Sequence, residues 1–172
     1  MDLLRAIRTR RSIRAFRADP VSAERIEPLV DLANLAPSAG NLQARDFVVV
    51  SDEAMRKALA ATTFDQAFIA DAPVVVVVCA NLQRIGKYGP RGRDLYALQD
   101  AAAATENLLL AAHAEGLGSV WIGAFDEGAV VRLLDLPRHV RPVALLPIGE
   151  PAEDPAAPER LPLSEILHWD RW

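Results

Sequence analysis

Six arginines and no acid lie between Arg5 and Arg17, with Ser12 among them in the stretch RTRRSIRAF. The chain carries 19 basic and 23 acidic side chains, a net charge of -4, so setting these six aside leaves the remainder near -10. Cationic charge is therefore concentrated at one place. On composition alone it reads as a solvated helix face. The spacing allows a second chemistry. Arg10, Ser12 and Arg14 alternate, so an extended segment would point all three to one side. Two guanidinium forks and a hydroxyl match phosphate oxygens, and such charge-assisted hydrogen bonds are about twice as strong as neutral ones. The trio suits one phosphate better than a polymer.

No other residues make a comparable constellation. Gly116 and Gly118 follow a helical pattern and precede a strand-like one, the reverse of a dinucleotide fingerprint. The stretch YGPRGR has glycines but no GK[ST]. His113, His139 and His168 lack paired ligand spacing, so they read as structural and no metal site is expected. Ser38 lies in no GxSxG elbow. Cys79 ends an apolar run and reads as a packed thiol. Asp100 and Glu106 read as interface or capping partners rather than catalysts.

These residues need elements to position them. At 172 residues, about half apolar and a quarter charged, the chain reads as one domain, 1–172, with a sizeable core. A single cysteine suggests a reducing compartment and hence the cytoplasm. The start MDLLRAIRTR has no apolar core of signal-peptide length, and no run reaches the ~20 residues of a membrane helix. The acidic remainder argues against broad nucleic-acid binding. A short helix with Leu3, Leu4 and Ile7 on one face leads into the arginines. Ser22 is placed to cap a second helix, whose regular part is expected only from Pro28. APSAGN stops it. DFVVVS, APVVVVVCA, SVWIG and RPVALLPIG read as strands, the second covered on both faces because it does not alternate. Asp52 and Asp126 cap helices. A loop through Gly86, Gly89, Pro90 and Gly92 precedes the longest helix, about 22 residues from Asp94, with Gly116 as its stop signal. That helix is apolar enough to meet a partner subunit as well. Trp121 reads as core, while Trp169 and Trp172 read as anchors of a proline-rich tail from about residue 151. The fold class expected is α+β, a central mixed or antiparallel sheet flanked by helices, with an extended C-terminal tail.

Five motifs in order, RRSIRAF, APSAGNLQ, GLGSVWIGAFD, LLPIGEP and PERLPLSEI, resemble the nitroreductase-type FMN flavoproteins from Arg10 to Ile166. The resemblance implies a homodimer with FMN at the subunit interface. Arg10, Arg11, Ser12 and Arg14 match the family's RxSxK/R segment, which approaches the FMN phosphate, ribityl chain and ring. Arg160 matches a late basic residue closing on the same phosphate. Pro37, Ser38, Ala39, Asn41 and Gln43 match a loop that the other subunit lays along the flavin. Gly123 and Ala124 match the backbone N–H groups that face the ring's N5 and O4 edge. Gln66 stands near a ring-contacting polar position. No side chain is implied as catalyst, because the cofactor carries the chemistry: NADH or NADPH would give hydride to flavin N5, and a nitroaromatic, quinone or enone would then take it in a ping-pong cycle. A cation such as Arg14 near the ring would stabilise the reduced flavin. Alternatives left open are reductive dehalogenation or flavin breakdown on the same fold, and a non-enzymatic binder of a phosphate-bearing ligand. Departures from the family pattern are Ala44 and Arg45 after the NxQ triplet, Phe68 where some members carry lysine, and a short stretch between Ala80 and Asp94. Arg45, if in the pocket, would favour an anionic substrate.

Overall fold

The computed structural model describes all 172 residues. In chain order the elements are α1 (Leu3–Thr9), α2 (Ala23–Asn34), β1 (Arg45–Val50), α3 (Glu53–Ala60), β2 (Val74–Asn81), α4 (Gly89–Arg91), α5 (Ala97–Ala114), β3 (Gly118–Ser119), α6 (Glu127–Leu133), β4 (Val140–Gly149) and α7 (Leu163–Ile166). The strands form one sheet in the order β1-β2-β4-β3, with every pairing antiparallel.

The unbroken valine run of β2 explains its central place. Successive side chains point to opposite faces of a strand. Val74, Val76 and Val78 enter one core with Ile26 and Leu29 of α2 and Ala101, Ala104 and Leu108 of α5. Val75, Val77 and Cys79 enter the other with Leu59 of α3 and Val130 of α6. All of β2 is buried, as expected of a strand covered on both sides. Burial pushes the Cys79 thiol up to about 12, with Asp46 adding to the shift. Cys79 therefore stays protonated, and the native protein should fail to react with a thiol-specific disulfide reagent at pH 8. Denaturation should release one reactive thiol per chain; a fast native reaction would contradict this packing.

Several boundaries differ from the sequence reading. Helix α2 runs through Pro28 from Ala23, and Ser22 makes no side-chain capping bond. Pro28 is exposed, so its ring meets solvent rather than core. Ahead of α5, the expected glycine loop is helical: α4 has Pro90 in its first turn, and the π-helical Gly92–Tyr96 joins it to α5. Proline fits that first turn because its missing N–H would be unpaired there anyway. The expected SVWIG strand keeps regular pairing only at Gly118–Ser119, with an isolated bridge between Ile122 and Leu145. Val120 and Ile122 turn inward, so Trp121 turns outward and is 39% exposed rather than core. The caps at Asp52 and Asp126 form as expected, accepting from Met55 N at 2.8 Å and Ala129 N at 2.9 Å.

Candidate flavin site

The arginine segment leaves α1 as an extended strand crossing the end of β3. Ser12 pairs with Ser119 and Phe16 with Pro151 in isolated bridges. Gly118 makes the crossing possible: a Cβ there would lie 2.8 Å from Ile13 Cγ2, inside contact distance. Ile13 is thereby buried, and alternation turns Ser12 and Arg14 the other way. The carboxylate of Glu153 accepts from the Arg14 and Ala15 N–H groups, the second at 3.1 Å, and so fixes the backbone of the segment.

The donors differ in what they have left to offer. Arg11 is committed within the chain, donating to Arg8 O at 3.0 Å and Arg10 O at 2.8 Å. The side chains of Ser12 and Arg14 make no hydrogen bond, and Arg10 has only a 3.7 Å approach to Glu106. Behind Arg10, His113 Nε2 lies 2.8 Å from Thr9 Oγ1, whose proton goes to Arg5 O. Burial, then Arg10 and Arg11, hold His113 below its usual range, so it stays neutral beside the cations.

A second group stands further along the same edge. Gln66 Nε2 donates to Ala124 O at 3.3 Å, and Phe64 N donates to the same oxygen at 3.4 Å. The backbone N–H groups of Gly123 and Ala124 make no hydrogen bond in the chain. A Cβ on Gly123 would meet only Trp121 Nε1, at 3.9 Å, so internal packing does not demand glycine there. Four residues of near-extended chain separate Ser119 from Gly123, roughly 13 Å. Free cations at one end and free backbone donors on an open surface at the other suit a ligand with a phosphate and a flat ring. The donor set fits FMN.

The third group lies elsewhere. Pro37, Ser38, Ala39, Asn41 and Gln43 form a loop between α2 and β1, held by Asp100 in the first turn of α5: Asp100 Oδ1 accepts from Ala39 N at 2.9 Å. Glu106 and His113, which meet the arginine segment, stand further toward the C-terminus of that helix. Arg10 approaches Glu106 six residues beyond Asp100, about 9 Å along the helix, and Thr9 meets His113 about 20 Å beyond it. No hydrogen bond or ion pair joins the loop to the arginine segment within one chain. Arg160 is also separate, exposed on the tail with no hydrogen bond or ion pair to the Arg10 group. The expected meeting of Arg10 and Arg160 does not occur within a single chain.

Arg45 is corrected outright. It is 3% exposed and points under the loop, donating to Asn34 O at 2.5 Å, Ala36 O at 2.8 Å and Pro37 O at 3.3 Å. Its guanidinium is spent on the chain's own carbonyls. Burial lowers its pKa and Asp100 opposes the shift. The sequence reading also missed what Asp100 holds, although one acid buried in a run of alanines was a signal of its own.

The nitroreductase family profile matches residues 7–66 and 56–150. NADH dehydrogenase of Thermus thermophilus is 36% identical over 98% of this chain and 96% of its own. Oxygen-insensitive NADPH nitroreductase of Salmonella typhimurium is 33% identical over 94% of this chain and 71% of its own. The solved structure of the NADPH:FMN oxidoreductase from Vibrio harveyi complexed with NAD+ superimposes with a TM-score of 0.90, at 29% identity, over 98% of this chain and 77% of that one. The protein is a member of the nitroreductase family.

Proposed function

We propose that this protein is an FMN-dependent NAD(P)H oxidoreductase of the nitroreductase type, working as a homodimer with one FMN at each end of the subunit contact. The observation that carries this reading is the unspent donor set at two stations of one edge: Arg10, Ser12 and Arg14, then the Gly123 and Ala124 amides. When bound, FMN supplies the redox chemistry, taking two electrons from NADH or NADPH and passing them to an electron-poor acceptor such as a nitroaromatic, quinone or enone.

The chain's own residues do the rest. Arg10 and Ser12 neutralise and orient the phosphate, which would be costly to bury without a cation. Arg14 places a positive charge at the ring end of the segment, favouring negative charge there. The Gly123 and Ala124 amides fix the polar edge of the ring, and Gln66 keeps their segment in place through Ala124 O. Pro37 to Gln43 come from the partner, as the family resemblance implies; in its own chain no hydrogen bond or ion pair ties that loop to Arg10, Ser12 or Arg14. Two α5 helices running antiparallel about a twofold axis bring them together. The surface suits this contact: Leu3, Leu4 and Ile7 of α1, Leu32 of α2 and Leu35 just after it are exposed, and both helices contact α5. Exposed apolar side chains of this number suit an interface.

The tail makes its last ties to its own chain at Ala152 and Glu153. Beyond residue 155 nothing is buried, yet Leu161, Leu163, Ile166, Trp169 and Trp172 are all there. It wraps the partner and brings Arg160 to a phosphate site. No helix is long and apolar enough to cross a membrane. A single buried, unpaired cysteine suits the reducing cytoplasm.

The test is direct. The purified protein should be yellow and release FMN on denaturation. Initial rates with a nicotinamide donor and menadione should give parallel double-reciprocal lines, because donor and acceptor use one open site in turn. A colourless protein that oxidises neither NADH nor NADPH in the presence of added FMN would favour a plain phosphate-ligand binder instead.

A further inference from the structure

We infer that Asp100 is a positioning residue for the flavin site of the partner subunit: its buried carboxylate, with Arg45 on the carbonyls leading into the loop, holds Pro37–Ala44 in the shape that covers the ring. This rests on the shared-site reading above. Asp100 is 4% exposed, and both its oxygens are used on the loop, Oδ1 by Ala39 N at 2.9 Å and Oδ2 by Ala44 N at 3.2 Å. From below, Arg45 gathers the carbonyls of Asn34, Ala36 and Pro37. Asp100 thus ties the loop at Ala39 and at Ala44, and Arg45 holds its entry from α2.

What they clamp is strained. Gly40, Asn41 and Gln43 have φ values of 57°, 55° and 51°, in the left-handed region. A Cβ on Gly40 would also crowd the ends of the Tyr88 and Lys87 side chains. Left-handed backbone at two non-glycine residues persists only where the surroundings over-determine it. Inside the loop, Ser38 Oγ accepts from Gln43 N at 3.0 Å, but Asp100 makes the tie to the helix beneath. Asp100 is sealed from solvent, with both oxygens spent on the loop. Its role is shape, exerted in the site that the other chain's Arg10 completes.

Mixed dimers test this. FMN titration followed by fluorescence quenching should give Asp100→Asn homodimers a Kd raised roughly tenfold to a hundredfold, because one loop N–H loses its charged acceptor. Arg10→Ala homodimers should also bind weakly. In an Asp100→Asn/Arg10→Ala heterodimer, isolated by two affinity tags, both lesions fall in one site and the other is wild type. One tight FMN per dimer is the expected result. Wild-type affinity in the Asp100→Asn homodimer would overturn the positioning role and leave the oxidoreductase reading intact. Weak binding with no tight site in the heterodimer would mean that Asp100 acts on its own chain's site, ending the inference. Unchanged affinity in the Arg10→Ala homodimer would instead sink the phosphate assignment. If Asp100→Asn does not fold, Ala39→Pro removes the same hydrogen bond from the loop side. Ser38 before it is already extended at φ -147°, ψ 152°, as a residue preceding proline prefers. The same rescue in trans is expected.

Discussion

Replacing Arg10 and Arg160 together by alanine is expected to give a folded, colourless dimer. Arg10 contributes little to the fold: its side chain is 24% exposed and its nearest acid, Glu106, is 3.7 Å away. Pairs of that kind are worth at most about 1 kcal/mol. Arg160 is exposed and unpaired in its own chain, so its loss costs the monomer nothing visible. A phosphate is different. Each charge-assisted hydrogen bond to it is worth about 1.5–3 kcal/mol, and losing two raises the FMN Kd between a hundredfold and about ten-thousandfold. Arg11→Ala is the internal control. That guanidinium serves the carbonyls of Arg8 and Arg10, so its removal should change FMN affinity far less. Titration of the apoprotein reads both variants. A double variant that stays yellow with unchanged Kd would remove the phosphate from the cationic start.

Ending the chain after Ala156 should dissociate the dimer while sparing the protomer's secondary structure. No residue from 156 onward is buried, and the backbone hydrogen bonds of 157–172 stay within that segment. It carries Leu161, Leu163, Ile166, Leu167, Trp169 and Trp172, the last two 81% and 102% exposed. Covering six such side chains is worth on the order of 10 kcal/mol before ordering costs, enough to decide association. Sedimentation velocity at micromolar concentration should therefore show monomers. Far-UV circular dichroism per residue in the sheet region should be preserved, and FMN affinity should fall at least a hundredfold, since the partner's loop leaves with the partner. A truncated chain that still sediments as a flavin-loaded dimer would show that the tail holds nothing.

Both expectations rest on features of unequal legibility. The covered strand Val74–Asn81 was plain because an unbroken valine run has no polar face to give to water. The caps at Asp52 and Asp126 were plain because a short acid before a helix finds N–H groups three residues on, a purely local matter. For the arginine segment, alternation said only that an extended chain would put Arg10, Ser12 and Arg14 on one side, while composition alone favoured a solvated helix face. Trp121 could not be placed: its hydrophobicity says core, whereas the inward turn of Val120 and Ile122 sends it out. Arg45 looked like a pocket cation, and only the curl of Asn34–Pro37 beneath the loop, a long-range consequence of packing α2 on α5, turns it into an internal donor.

By itself, then, the order of residues determined where charge, hydroxyl and small-residue positions fall: these are local properties, and their spacing on a strand or loop follows from backbone geometry. Tertiary structure decided how they are shared out. Within one chain the loop is tied to Asp100 on α5 and the arginine segment to Glu106 and His113 further along it, with no bond between the two, and Arg11 and Arg45 are used up on nearby carbonyls. Ties of that kind depend on how helices pack, which no stretch of sequence states alone.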